Sequence, residues 1–140
     1  MAIFYLDSSA IIKLIVAEAE TDALAALSDT DGFWVTSDLS RTEVMRAVAR
    51  RQPDAIDEAR KSLRSLALIE LNRDLYDLAG RIQPPSLRSL DAINVAAALS
   101  LGDDLTGFVT YDRRLAQAAS QNGLAVLSPG ADMVSSPTAS

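Results

Sequence analysis

The chain has 140 residues, 49% of them hydrophobic and 23% charged, with a formal net charge of −6. That is the composition of one folded domain, long enough to bury about two-thirds of its unfolded surface without covalent staples. It contains neither Cys nor His. This excludes disulfides, thiolate nucleophiles, thiolate or imidazole zinc sites, Ser-His-Asp hydrolysis and RNA cleavage by a histidine pair. Acid–base or metal chemistry must therefore be carried mainly by carboxylates.

The elements follow in chain order. Ala2–Leu6 reads as a short buried strand and Ser8–Val16 as a helix, with Asp7 between them. Glu18–Leu27 is amphipathic through Leu24 and Leu27 and ends in the polar run SDTDG. Phe33–Thr36 is a second strand, and Asp38 or Ser40 can cap the helix that runs to Arg51. Pro53 suits a first helical position, predicting a helix over Asp54–Leu66. Ala67–Leu71 is a third strand. Asn72 or Asp74 opens a helix to Ile82, which Pro84-Pro85 stops. Ser89 can cap the Ala-rich helix Leu90–Leu101. Gly107–Thr110 is a fourth strand and Asp112–Gln121 a helix with Gly123 as its left-handed stop. Ala125–Leu127 is a last short strand.

Strands alternate with helices, which predicts a three-layer α/β/α sandwich with a central, mainly parallel sheet. The expected organisation is a domain over residues 1–128 and a mobile tail over 129–140. The N-terminus has no basic leader, and its apolar run is broken by Asp7 and Lys13, so a soluble cytoplasmic protein without membrane contact is expected.

In parallel sheets ligands gather outside the carboxyl ends of the strands. Asp7 and Asp112 both follow a strand and precede a helix. Asp91 falls in a first helical turn. Glu43 points away from the apolar side formed by Val44, Met45 and Val48, and shares its face with Arg46 and Arg50. Each acid also has a local reading. Asp7 and Asp112 can be N-caps, each contributing roughly 1 kcal/mol. Asp91 can answer its helix dipole, and Glu43 can pair with Arg46. Seven of the 13 basic residues lie between Arg41 and Arg64. They can form a solvated helix face or meet a phosphate backbone.

Four segments together, YLDSSAIIKL, SRTEVMRA, LDAINVAAAL and VTYDRRLAQAA, resemble the PIN-domain nucleases, most of all the VapC toxins of bacterial toxin–antitoxin systems. The likeness runs over nearly the whole chain. It implies a PIN-like fold and an endoribonuclease that hydrolyses RNA phosphodiester bonds with metal-activated water. Asp7, Glu43, Asp91 and Asp112 would be the family's catalytic, metal-binding quartet. Ser8 and Thr110 would stand beside them as hydroxyls that assist metal–water contacts. Asn94 departs from the family, many of whose members carry His there.

The physics agrees with the implied site. Two carboxylates about 4 Å apart repel by roughly 4 kcal/mol at an effective dielectric near 20, and four need cations among them. An all-oxygen donor set suits Mg²⁺ or Mn²⁺. Arg46, Arg50 and Arg113 are the expected RNA contacts, with Arg114 next to them. Ile11, Ile12, Leu14, Ile15 and Val16 read first as core; the resemblance implies as the alternative a VapB-type antitoxin docking across these apolar first helices, and further implies tRNA or rRNA as substrate and a homodimer. A haloacid-dehalogenase-type phosphatase would need an Asp where Ser9 stands and a later Lys, yet the only lysines are Lys13 and Lys61; a phosphoryl-accepting receiver domain wants a Lys after a late strand, and the late strands have none. The remaining alternative is a non-catalytic α/β binding module whose acids serve only as caps.

Overall fold

The computed structural model describes residues 2–29 and 32–131. Five strands, β1 (Ala2–Leu6), β2 (Gly32–Ser37), β3 (Ala67–Ile69), β4 (Gly107–Val109) and β5 (Val126–Leu127), form one sheet in the order β3-β2-β1-β4-β5. Every pairing is parallel. Among the described residues seven α-helices cover it: α1 (Ser8–Ile15), α2 (Thr21–Ala25), α3 (Leu39–Arg51), α4 (Ile56–Ser65), α5 (Arg73–Ala79), α6 (Ser89–Leu99) and α7 (Arg113–Gln121).

The central strands β1 and β4 are continuously apolar, as suits strands covered on both faces of a parallel sheet, while β2 ends in the buried hydroxyls of Thr36 and Ser37. The strands' period of two divides the core. Phe4, Leu6 and Val109 pack with α1, α3 and α4. Tyr5 and Phe108 face the other way, into α6 and α7. Their rings stack with centroids 5.2 Å apart. On that side α6 offers mostly small side chains, Ala92, Ala96, Ala97 and Ala98, so the helix can lie close to the sheet.

Several boundaries differ from the sequence reading. The helix expected over Glu18–Leu27 is shorter. The chain turns at Glu18, where Thr21 Oγ1 accepts from Glu18 N, and α2 passes into a 3₁₀ turn at Ala26–Asp29. Pro53 opens a 3₁₀ turn, Pro53–Ala55, and α4 begins only at Ile56. β3 ends at Ile69, two residues early, because its partner β2 ends at Ser37. Asp38 precedes α3 but makes no side-chain cap, and Ser40 bonds Thr36 Oγ1 at 2.7 Å instead. Ser89 lies inside α6, with Arg88 in the cap position. Gly123 has φ 87°, the left-handed stop its position suggested.

Asn72 does cap α5, its Oδ1 accepting from Leu75 N at 2.9 Å. Asn72→Ala is expected to cost about 1 kcal/mol, measurable by denaturant unfolding. Past β5 the chain stays tied to the body. Ser128 Oγ donates to Thr110 O at 2.6 Å, and Tyr111 Oη donates to Pro129 O at 2.7 Å. The rest of the expected tail, 132–140, lies outside the described residues. Among the described residues no helix is long and apolar enough to cross a membrane.

The chain adds β2 and β3 on one side of β1 and then returns to add β4 and β5 on the other. The strand order therefore reverses between β1 and β4, which leaves a crevice at their carboxyl ends. Asp7 and Thr110 are the residues immediately beyond those ends.

Candidate active site

Asp7 is 3% exposed and anchors the crevice. Its extended backbone caps α1, and Oδ1 accepts from Ala10 N at 3.0 Å. The same oxygen accepts from Ser9 Oγ at 2.6 Å, and Oδ2 accepts from Thr110 Oγ1 at 2.6 Å. Thr110 and Ser9 are themselves fixed, since Thr110 Oγ1 accepts from Asp112 N and Ser9 Oγ accepts from Tyr111 N. The hydroxyl network thus ties the end of β1 to the end of β4. Burial still dominates the carboxyl's chemistry. It pushes the Asp7 pKa up to about 6, against the lowering effect of these donors, and the nearby Asp112 charge raises it further.

Glu43 enters from the second turn of α3, where Val44, Ala47 and Val48 hold the helix in the core and leave Glu43 half-buried at the crevice. Ser8 Oγ donates to Glu43 Oε1 at 3.1 Å. Burial raises the Glu43 pKa, the Ser8 hydrogen bond opposes this, and the Asp91 charge adds to the rise. Asp91 comes from the first turn of α6. Its pKa is raised by burial and by Asp112, while Arg88 and Arg114 pull it down. Asp112 caps α7, its Oδ1 accepting from Arg114 N and Leu115 N, so Oδ2 is left out of the cap.

All four acids line one cavity of about 300 Å³, together with Ser8, Ser9, Asn94 and Arg88. Capping and site membership coincide at Asp7 and Asp112, so the local reading of those two does not compete with the functional one. Asp91 Oδ2 is buried without a hydrogen-bond partner, and Arg88 Nε stands 3.6 Å from it. An orphaned buried carboxylate oxygen costs free energy unless something satisfies it. Among the described residues no group of three or more acids is drawn tightly enough together to hold one ion as it stands. The donor set, four carboxylates and two neighbouring hydroxyls with Asp91 Oδ2 free of hydrogen bonds, fits a hard divalent cation.

The structure places the other expected residues less centrally. Arg46, Arg50 and Arg113 are exposed and none of them lines the cavity. Ile11 and Ile12 are buried, and Leu14, Ile15 and Val16 pack partly against the same core. Asn94 reaches the cavity wall, but its Oδ1 accepts from buried Tyr5 Oη at 2.7 Å and its Nδ2 donates to Leu90 O, so it serves the packing of α6 on β1. Two residues were missed in the sequence. Ser9 was legible as a hydroxyl two residues after a capping Asp. Arg88 was legible as a cation one helical turn before Asp91.

The fold and site define a parallel α/β protein with a carboxylate-lined crevice at the switch point of its sheet. Residues 4–121 match the PIN domain, and the chain belongs to the PIN-domain family. Its relatives include Ribonuclease VapC46 of Mycobacterium tuberculosis, 46% identical over 92% of this chain and 99% of that protein. Ribonuclease VapC47 of the same species is 43% identical over 91% of this chain and 97% of that protein. Among solved structures, Mycobacterium tuberculosis VapC20, described as a sarcin–ricin loop cleaving toxin, superposes with a TM-score of 0.71 at 18% identity, over 90% of this chain and 99% of that one. A toxin–antitoxin complex from Klebsiella pneumoniae gives 0.67 at 21% identity, over 92% and 98%. These two structures share the fold.

Proposed function

We propose that this protein is the toxin of a VapBC-type toxin–antitoxin pair, an endoribonuclease that depends on Mg²⁺ or Mn²⁺. The observation that carries the reading is the convergence of Asp7, Glu43, Asp91 and Asp112, from four separate segments, on one cavity in a chain 46% identical to a ribonuclease. In that cavity the cations would activate water for attack on phosphorus and offset charge on the departing 3′ oxygen.

The chain's own part is to build and orient the donors. Ser9, Thr110 and Ala10 N fix the Asp7 carboxylate, Ser8 aims Glu43, and Arg88 faces Asp91. Without His, no side chain here is an ordinary neutral-pH base. Arg46 and Arg50, exposed on the helix that bears Glu43, and Arg113 beside Asp112 are proposed to meet RNA phosphates. A VapB-type antitoxin as partner is supported by the likeness to a toxin–antitoxin complex. A homodimer is proposed with it, and residues 1–128 as the nuclease domain.

The test is cleavage of purified RNA followed by end analysis. With Mg²⁺ or Mn²⁺ the products should carry 5′-phosphate and 3′-hydroxyl ends, and EDTA should abolish them. Cleavage that survives EDTA, or cyclic phosphate ends from attack by the 2′-hydroxyl, would contradict the assignment.

A further inference from the structure

Arg88 and Asp91 border two cavities. One is the acidic cavity; the other, about 400 Å³, opens between the segment leading into α6 and one face of α7. Arg114, Gln117 and Gln121 line this second groove. They recur three and then four residues apart, so they form one stripe along α7, while Leu115 and Ala119 hold the helix in the core. The facing wall is braced. Leu87 N donates to Pro84 O at 3.0 Å, and Asn122 Nδ2, just past α7, donates to Gln83 O at 2.9 Å. The groove therefore has two guanidinium groups where it meets the acids and two amides further along. Guanidinium groups favour phosphate oxygens, and amides carry both donors and an acceptor for a base edge or a sugar hydroxyl.

We propose that this groove holds the RNA strand on one side of the scissile phosphate. Arg114 and Arg88 take backbone phosphates, and Gln117 and Gln121 contact the bases or sugars and contribute to sequence preference. The inference rests on the ribonuclease reading above. Four carboxylates in the adjoining cavity repel an approaching strand, and the Arg pair supplies attraction beside them. A larger groove between α3 and α4, about 810 Å³ and lined by Arg41, Arg60 and Arg64, is also basic. It shares no lining residue with the acidic cavity, so a strand in it would not be led directly to the acids.

The experiment is binding of a labelled single-stranded RNA by fluorescence anisotropy, with Ca²⁺ in place of Mg²⁺ so that affinity is read apart from cleavage. Arg114→Ala should weaken binding about tenfold and reduce the slope of log Kd against log salt by about 0.7. The double variant Gln117→Ala/Gln121→Ala should weaken binding with the slope unchanged, and should shift the preferred cleavage sites in Mg²⁺. Arg60→Ala should match the wild type. Unchanged affinity and slope in Arg114→Ala, an equal loss in Arg60→Ala, or no RNA binding by the wild type would overturn the groove assignment. Wild-type cleavage in Mg²⁺ scores the ribonuclease reading separately. A protein that binds RNA but never cuts it contradicts that reading while the variants still judge the groove. One that cuts while all groove variants behave as wild type contradicts the groove alone.

Discussion

Asp7→Asn is expected to abolish RNA cleavage, by more than roughly a thousandfold, and at the same time to stabilise the metal-free protein. The second effect follows from burial. The Asp7 pKa is pushed up to about 6 from an ordinary value of 3.8. For a carboxyl whose folded pKa lies above its unfolded value, the folded state favours the neutral form. Its contribution is therefore present at low pH and is lost as pH rises from about 4 through about 6. The full cost is on the order of 3 kcal/mol. Asn keeps the cap, since its Oδ1 can still accept from Ala10 N and Ser9 Oγ, and it has no charge to desolvate. Unfolding in EDTA should show the variant and the wild type converging near pH 4 and the variant ahead above pH 6. If Asp7 were only a cap, the exchange would spare cleavage.

The second large effect is metal-linked stability. A cation that binds the folded state alone stabilises it by about 2.7 kcal/mol at 100 times its dissociation constant. Mg²⁺ or Mn²⁺ should raise the wild-type melting temperature, and more strongly as pH climbs through the Asp7 titration, because the ion competes with the proton there. Asp91→Asn should remove most of the rise. That substitution takes away the carboxylate whose Oδ2 is buried without a hydrogen bond among the described residues and is faced by the Arg88 guanidinium at 3.6 Å. A rise of the same size in Asp91→Asn would place the cations elsewhere on this acidic chain.

The arrangement of alternating strands and helices was legible from the residues, because short apolar runs such as AIFYL and GFV recur between longer helical patterns and turn residues, as the buried strands of a parallel sheet do. Helix edges were less so. A local pattern does not reveal that β2 stops at Ser37 and so ends β3 at Ile69. Nor does it reveal that Thr36 claims the Ser40 hydroxyl. The acids could be marked one by one from strand ends and first turns. Their meeting in one cavity depends on β4 returning to pair beside β1, a long-range pairing that no local periodicity encodes. Arg88 illustrates the remainder. It stands in an irregular segment after two prolines, where pattern carries little information, and its place between two cavities appears only once α6 is packed on the sheet.

The central claim is that Asp7, Glu43, Asp91 and Asp112 jointly hold divalent cations. The most direct measurement is the count and affinity of Mn²⁺ bound by the wild type and by Asp7→Asn, Glu43→Gln, Asp91→Asn and Asp112→Asn, read from the free-ion electron paramagnetic resonance signal at pH 7.5. The account predicts specific Mn²⁺ binding by the wild type, weakened or lost in each of the four variants. Binding that none of the four substitutions alters would contradict it.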